Sequence, residues 1–201
     1  MGRGLPADWR VEIHHANAFC TAQHRPRVYI IGWSSFPAIG RRSVPNIGRA
    51  LAQLPRIGIG EILVPYKART REGLTSKDRL KLAAHLRSLG RLLHGRKYIW
   101  KFAVFEVDRD RKKKFMSMRR DGLAPCLRTK GKLWLVSLGE GTPRISRLLQ
   151  PAERCLLQGM SPCELPREGI SHNDVIVGCG NAMTVPVIGA ILNALCASFC
   201  G

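Results

Sequence analysis

Residues 23–32 read Gln23-His24-Arg25-Pro26-Arg27-Val28-Tyr29-Ile30-Ile31-Gly32, a polar, arginine-containing segment that runs straight into an apolar one. The apolar run, 28–33, is typical of a strand that is covered on both faces in a parallel sheet. A second β-like run, 9–13, precedes it, and the polar stretch 17–25 joins the two. The two runs predict part of an α/β sheet, although two strands alone do not make a complete one.

The charge balance indicates a polyanionic partner. Lysine and arginine number 33 against 14 acidic residues, so the 201-residue chain carries a formal net charge of +19. Surface cations displace the counterions condensed on nucleic acid, and this favours a nucleic-acid partner over a chain that is merely kept soluble by self-repulsion. The apolar content of 45% argues against wholesale disorder.

The cysteines and the apolar runs point to an intracellular chain without a membrane segment. No apolar run approaches the roughly 20 residues that span a bilayer, and residues 1–6 lack the apolar core of a signal peptide. The seven cysteines contain no Cys-x-x-Cys pair, so we expect no metal site. Cys196 and Cys200, four apart on a predicted helix, are interpreted as buried thiols. A reducing compartment fits best.

One helix stands out in the middle of the chain. Thr75 and Asp78 have the spacing of a capping box, and Gly95 is a plausible stop. Leucines recur at spacings of three and four, and cations fill most remaining positions: Leu82, Leu86, Leu89, Leu93, Arg79, Lys81, Arg87, Arg91 and Arg96. We favour a helix that packs on its own domain with a solvated basic face over one that binds a membrane or a calmodulin-like partner.

A basic cluster lies between two predicted strand runs, 100–107 and 133–138. Its members are Arg109, Arg111, Lys112, Lys113, Lys114, Arg119 and Arg120. Cations on a loop between β segments suit contact with phosphates, and we favour this interpretation over a solvated hairpin tip. The segment Gly58-Ile59-Gly60 lacks the third glycine of a dinucleotide loop and follows no clear strand, so it predicts a turn.

The last segment, 147–201, predicts two helices. Pro151 is placed to start the first, with Glu153 in its first turn facing the positive helix end. Gly159 ends that helix. The second runs from about Val185 to Ala197, with an apolar face formed by Val187, Ile188, Ile191, Leu192 and Leu195.

Three further segments occur in a fixed order: Arg147-Leu148-Leu149-Gln150-Pro151-Ala152-Glu153, Leu157-Gln158-Gly159-Met160, and Gly180-Asn181-Ala182-Met183-Thr184-Val185-Pro186-Val187. Gln23-x-Arg25-x-Arg27 resembles the eighth motif block of the C5-cytosine-specific DNA methyltransferase family. The first two of the three segments together resemble its ninth block, and the third segment resembles its tenth. Residues 122–129 resemble the end of that family's target-recognition region. The chain departs from the family pattern at Ala22, Leu156 and Ser161.

The resemblance implies the C-terminal part of an α/β enzyme, namely a partial S-adenosylmethionine-dependent methyltransferase (Rossmann-like) domain with an inserted small mixed α/β target-recognition domain. Residues 1–33 would be end strands of the catalytic domain, 34–146 the target-recognition domain, and 147–201 the returning helices of the catalytic domain. The implied reaction transfers a methyl group from S-adenosylmethionine to C5 of a cytosine flipped out of double-stranded DNA.

The resemblance also implies roles for particular residues. Arg27 would contact the O2 side of the flipped cytosine, and Gln23 and Arg25 would support it. Gly180, Asn181 and Ala182 would line the S-adenosylmethionine cleft; the alternative for Gly180-Asn181 is a turn leading into a helix, with Asn181 as its cap. Contacts with DNA would come from the basic cluster together with Arg128 and Lys130.

The family's nucleophile and main cofactor motifs do not occur in this sequence. There is no Pro-Cys-Gln, no Glu-Asn-Val and no glycine-rich cofactor loop, and Cys126 and Cys163 follow prolines in the wrong blocks. We therefore expect a fragment that is inactive without an N-terminal half, supplied by a longer gene product or by a separate N-terminal subunit. We favour a truncated gene product and expect apolar faces at 28–31 and 187–195 to be exposed, which would make the isolated chain poorly soluble.

Two alternatives remain open. One is a non-catalytic DNA-binding remnant that binds DNA through its basic insert. The other is a member of the tRNA-acting branch of the same family. Under the favoured interpretation the protein is chromosome-associated, in the nucleus if the organism is eukaryotic.

Overall fold

A computed structural model of the chain describes residues 9–15, 21–32, 47–52, 55, 57–64, 75–93, 101–106, 119, 121–138, 144–165 and 168–200. These residues form a mixed α/β protein. Its strands are β1 (Trp9–His15), β2 (Pro26–Gly32), β3 (Phe102–Glu106), β4 (Leu133–Ser137) and β5 (Arg144–Leu148). Its helices are α1 (Ile47–Ala52), α2 (Ser76–Leu93), α3 (Pro151–Leu157), α4 (His172–Asn181) and α5 (Val185–Cys200), with 3-10 turns at Ile59–Glu61 and Pro162–Glu164. The glycine pair around Ile59 is therefore a turn, as predicted.

Strands β1 and β2 form an antiparallel pair in which Val11 lies opposite Ile30. Successive side chains of a strand point to opposite faces. Tyr29 and Ile31 are buried, whereas Val28 and Ile30 on the other face are 57% and 58% exposed. The expectation of a parallel strand covered on both faces is wrong for the described residues, because α5 and α1 cover one face only.

Helix α5 is the main cover of that buried face. Val187 and Ile191 pack with Tyr29, Ile31 and Leu51 in one apolar cluster. The expectation that the face 187–195 is exposed is therefore wrong, because most of it is used against β2 and α1. Val185 and Leu192 of α5 stay exposed.

Strands β3, β4 and β5 form a second, antiparallel sheet in that order. Both of its faces are buried. One face packs Phe105 and Trp134 against Leu82 of α2, and the other packs Val104 and Leu135 into the largest apolar cluster. The two predicted strand runs are confirmed, and their nearly continuous apolar character follows from this double burial.

The helix predicted from 75 onwards is confirmed as α2, and so is its cap. The Asp78 amide donates to Thr75 Oγ1 (3.1 Å), and the Thr75 amide donates to Asp78 Oδ2 (3.4 Å). Leu82 is fully buried, whereas Arg79 and Arg87 are exposed on the solvated side. Asp78 also accepts from Lys132 Nζ beside β4 (2.9 Å), and this hydrogen bond holds the pKa of Asp78 below its ordinary value.

Helix α3 begins and ends as the sequence predicts. Pro151 occupies its first turn, and Gly159 follows its last turn with φ of +73°. The Met160 amide donates to the Cys155 carbonyl (3.0 Å) and the Gly159 amide to the Leu156 carbonyl (3.0 Å). These two bonds form a Schellman motif, which needs the left-handed backbone that glycine adopts without strain.

The C-terminal segment holds three helices, so the prediction of two helices is wrong. The additional helix, α4, is capped by Ser171, whose Oγ accepts from the Asp174 amide (3.2 Å). Asn181 ends α4 and does not cap α5. Cys196 is exposed on α5, so its interpretation as a buried thiol is also wrong. The side chain of Cys200 lies outside the described residues.

Among the described helices, no single one has the length and apolar composition to cross a membrane. Helix α4 and the part of α5 up to Ala197 pass that test only as a pair, bent by 43°.

Replacing Gly159 by alanine should lower the free energy of unfolding by about 2 kcal/mol or more. The new Cβ would strain a positive φ and would overlap the Cδ of Pro186. Gly169 is the matched control, because its φ is +77° and nothing lies within 4 Å of an added Cβ. Chemical denaturation of both variants measures the difference. Equal losses for Gly159→Ala and Gly169→Ala would show that packing against Pro186 contributes nothing.

The Asp78–Lys132 pair should contribute to stability in a pH-dependent manner. A folded-state pKa below the unfolded value gives stability that is present at neutral pH and is lost as the pH falls through about 4 and below. Asp78→Asn and Lys132→Met should therefore both weaken the chain at pH 7 and flatten its loss of stability in acid. Denaturation midpoints from pH 7 to pH 3 provide the measurement. Acid limbs that run parallel in wild type and Asp78→Asn would contradict this account.

Candidate functional site

The segments that resemble motif blocks meet in a buried set of hydrogen bonds, which we call the polar junction and which consists of Gln23, Arg25, Gln158 and Thr184. Gln23 is fully buried. Its Nε2 donates to the carbonyl of Leu157 (2.6 Å) and to Gln158 Oε1 (3.0 Å). The segment that contains Gln23 thus contacts the segment that contains Gln158 through a buried pair of side-chain amides.

Gln158 extends the polar junction to the third block. Its Nε2 donates to the Cys179 carbonyl (2.6 Å), and its Oε1 also accepts from Thr184 Oγ1 (3.4 Å). The Val185 amide donates to the Gln158 backbone carbonyl (2.9 Å). One side chain and its own main chain therefore hold the end of α4 and the start of α5.

Arg25 is the only arginine of the polar junction, and it is 1% exposed. Its Nη2 donates to the carbonyls of Gly180 (2.9 Å) and Ala182 (2.7 Å), and its Nη1 donates to the carbonyl of Leu127 (3.0 Å). Burial lowers the pKa of Arg25 below its ordinary value. The guanidinium keeps its charge because main-chain carbonyls replace the water that it loses.

Arg27 lies in a different environment from Arg25. It is half-buried, and its Nη1 donates only to the neighbouring Pro26 carbonyl (2.8 Å). The two arginines share a face of the extended chain, as their i and i+2 spacing predicts. Both reach the sulfur of Cys126, from Arg25 Nη1 at 3.6 Å and from Arg27 Nη2 at 3.8 Å. Arg27 thus has no buried carbonyl partner among the described residues and keeps donors for an external group.

The segment Gly180-Asn181-Ala182, which we call the α4 turn, lies against a basic loop. A Cβ on Gly180 would overlap the backbone of Arg128 and Thr129, so only glycine fits there. The Gly180 and Ala182 carbonyls are engaged by Arg25, whereas the Asn181 side chain is exposed. If this turn meets a ligand, Asn181 is the side chain that is available for the contact.

A second buried polar contact lies within the segment 147–153. Arg147 Nη1 donates to Glu153 Oε2 (2.7 Å) and Arg147 Nη2 to Glu153 Oε1 (2.5 Å). Glu153, which is fully buried, also accepts from the amides of Val64 (3.1 Å) and Gln150 (2.8 Å). The ion pair fixes β5 to the start of α3. Sequence reasoning placed Glu153 only as a helix-end charge and missed its pairing with Arg147.

The predicted DNA contacts are only partly described. Arg109, Arg111, Lys112, Lys113, Lys114 and Arg120 lie outside the described residues. Arg119 forms an ion pair with Asp121, and Arg128 forms one with the buried carboxylate of Glu106. Lys130 is exposed and follows Thr129, whose backbone lies against Gly180. Contact of these cations with DNA stays a prediction.

The described cysteines differ in their surroundings. Cys163 and Cys196 are exposed, Cys126 is half-buried, and Cys155 and Cys179 are buried. Burial raises the pKa of Cys155 and raises that of Cys179 to about 12. Neither buried thiol is therefore a thiolate at neutral pH, as a nucleophile would have to be.

No family model matches the sequence, and no curated protein matches it significantly.

Arg25→Lys should lower the free energy of unfolding by about 3 kcal/mol, because an ammonium group cannot reach the three carbonyls that the planar guanidinium holds. Arg27→Lys is the matched control two residues away and should cost less than about 0.5 kcal/mol. Denaturant titration of both variants measures the contrast. Similar stability of the two variants would mean that the polar junction does not depend on the Arg25 guanidinium.

Proposed function

We propose that this chain is the C-terminal portion of a C5-cytosine DNA methyltransferase and acts only together with an N-terminal half. The observation that carries the proposal is the polar junction. It joins the three segments whose residues resemble the family's last three motif blocks, through side chains that belong to those motifs: Gln23, Arg25 and Gln158. Chance matches scattered along a chain would have no reason to converge in this way.

The proposal also accounts for the two small sheets. We infer that β1 and β2 are the end strands of a Rossmann-like sheet whose other strands belong to the N-terminal half. The exposed apolar face of Val28 and Ile30 supports this, because such a face favours a further layer. The sheet of β3, β4 and β5, with its helix α2, is the small domain inserted between the blocks.

In the proposed enzyme, Arg25 and Arg27 have different tasks. Arg25 holds the α4 turn and the loop at Leu127 in place and touches neither substrate nor cofactor. Arg27 presents a guanidinium to the O2 side of the flipped cytosine. A preorganised donor of this kind stabilises charge that develops on the ring during attack.

S-adenosylmethionine supplies an activated methyl group on a sulfonium when it is bound. Most of its contacts would come from the N-terminal half. The exposed Asn181 amide fits the polar methionine end of this cofactor, since an amide offers both donors and an acceptor. Arg25 fixes the backbone on both sides of Asn181 and thereby orients that amide.

The exposed cations next to the α4 turn favour a nucleic acid as the substrate. Gly180 packs on the backbone of Thr129, so Arg128 and Lys130 lie beside the proposed cofactor turn. Phosphate contacts at this position would hold the duplex where a flipped base can reach the methyl group. The charge of +19 supports the same assignment.

The test supplies the chain with an N-terminal half that carries a glycine-rich loop, Pro-Cys-Gln and Glu-Asn-Val, and measures transfer of labelled methyl groups to duplex DNA. We expect 5-methylcytosine only when both halves are present. Arg27→Ala should slow methylation by about a hundredfold while leaving the thermal midpoint unchanged.

The outcomes separate the alternatives. Salt-dependent DNA binding by the chain without methylation in any complemented pair would indicate the DNA-binding remnant. Methylation of tRNA in preference to duplex DNA would indicate the tRNA-acting branch. Full activity of Arg27→Ala would remove the role assigned to Arg27.

A further inference from the structure

Two buried thiols from different helices lie side by side. Cys155 of α3 and Cys179 of α4 have their sulfurs 3.7 Å apart. Both side chains are buried, at 0% and 2% exposure. A disulfide needs about 2 Å between its sulfurs, so the two side chains must approach further for the bond to form.

We propose that Cys155 and Cys179 form a reversible disulfide that locks α4 onto α3. The pairing follows from the position of the two sulfurs and is independent of the methyltransferase assignment. The other described cysteines, Cys126, Cys163 and Cys196, are half-buried or exposed, and no sulfur–sulfur contact joins them to another described cysteine.

The accessibility of this pair depends on α4. Helix α4 is ten residues long and buries only Cys179 fully. Its first three residues, 172–174, are exposed, and its start is held by the Ser171–Asp174 capping box. Short helices with few buried contacts open locally far more often than the whole chain unfolds. Opening of α4 brings Cys179 to solvent, where its thiol ionises more easily than it does when buried.

The chemistry requires an oxidant, and we name a low-molecular-weight disulfide such as oxidised glutathione. The Cys179 thiolate attacks one sulfur of that disulfide, forming a mixed disulfide and releasing one glutathione thiolate. The Cys155 thiolate then attacks the Cys179 sulfur and releases the second glutathione. The protein loses two protons and two electrons, and one oxidised glutathione becomes two reduced molecules.

The lock acts on the polar junction. Gln158 is held to the Cys179 carbonyl, and Arg25 to the carbonyls of Gly180 and Ala182. Fixing Cys179 to α3 therefore restrains the whole α4 turn in the arrangement described above. Reduction returns α4 to its normal rate of opening.

The experiment incubates the full chain with oxidised glutathione under native conditions and maps its peptides without reduction. We expect a cross-linked pair of peptides that contain Cys155 and Cys179, which disappears on reduction. Amide hydrogen exchange in α4 should slow by about tenfold in the oxidised chain. Cys163→Ser, at an exposed thiol, is the matched control and should form the same cross-link, whereas Cys179→Ser should not.

A second variant tests access. Ser171→Ala removes the cap of α4 and should speed cross-linking by about fivefold, because a lost cap favours the open helix. Two results would overturn the proposal. One is a native chain that acquires glutathione at Cys163 but never links Cys155 to Cys179. The other is a link that forms only in denaturant.

Discussion

The rest of the structure depends on the burial of the Arg25 guanidinium. A charged group that leaves water must find hydrogen-bond acceptors, and here the main-chain carbonyls of Leu127, Gly180 and Ala182 supply them. Two separate stretches of chain, at Leu127 and at Gly180–Ala182, must therefore lie at fixed positions around one side chain. As a consequence, the backbone of Gly180 comes so close to Thr129 that no Cβ fits between them.

This constraint separates the structural from the exposed members of the first motif. Gln23 and Arg25 are buried and hold other segments, whereas Arg27 is half-buried and bonded mainly to its neighbour. The i and i+2 spacing on an extended chain places Arg25 and Arg27 on one face, but the depth of each is set by what packs above it. A motif with two arginines thus divides into one that builds the site and one that is available to a ligand.

Local signals in the sequence predicted local structure well. The Thr75–Asp78 box, Pro151 and Gly159 each act within a few residues, so the start of α2 and both ends of α3 follow from them. Helix α4 is short and has few apolar residues, so hydrophobic periodicity does not indicate it, although Ser171 and Asp174 have the same capping spacing as Thr75 and Asp78.

Long-range contacts were harder to predict. The polar junction and the Arg147–Glu153 pair join residues whose partners depend on how separate elements pack, and residue spacing does not contain that information. The antiparallel pairing of β2 and its burial on one face could not be predicted either, because an apolar run is compatible with burial on one face or on two. The motif resemblance assigns Gln23 and Arg25 to the support of Arg27 and Gly180 to the cofactor cleft, but it does not contain the hydrogen bonds that join these residues to one another and to Gln158.

The open face of β2 gives the proposal of a missing half its physical content. Val28 and Ile30 are more than half exposed, although burying each fully would contribute about 1.5 kcal/mol or more. The opposite face of the same strand is well packed, so the exposure is not a sign of a poor fold. The chain holds both terminal nitrogens of the buried Arg25 in hydrogen bonds and yet leaves Val28 and Ile30 in water, which is the arrangement expected if a further layer covers β2. In the proposed enzyme this layer is apolar and covers β2, while the cations of the chain contact the nucleic acid.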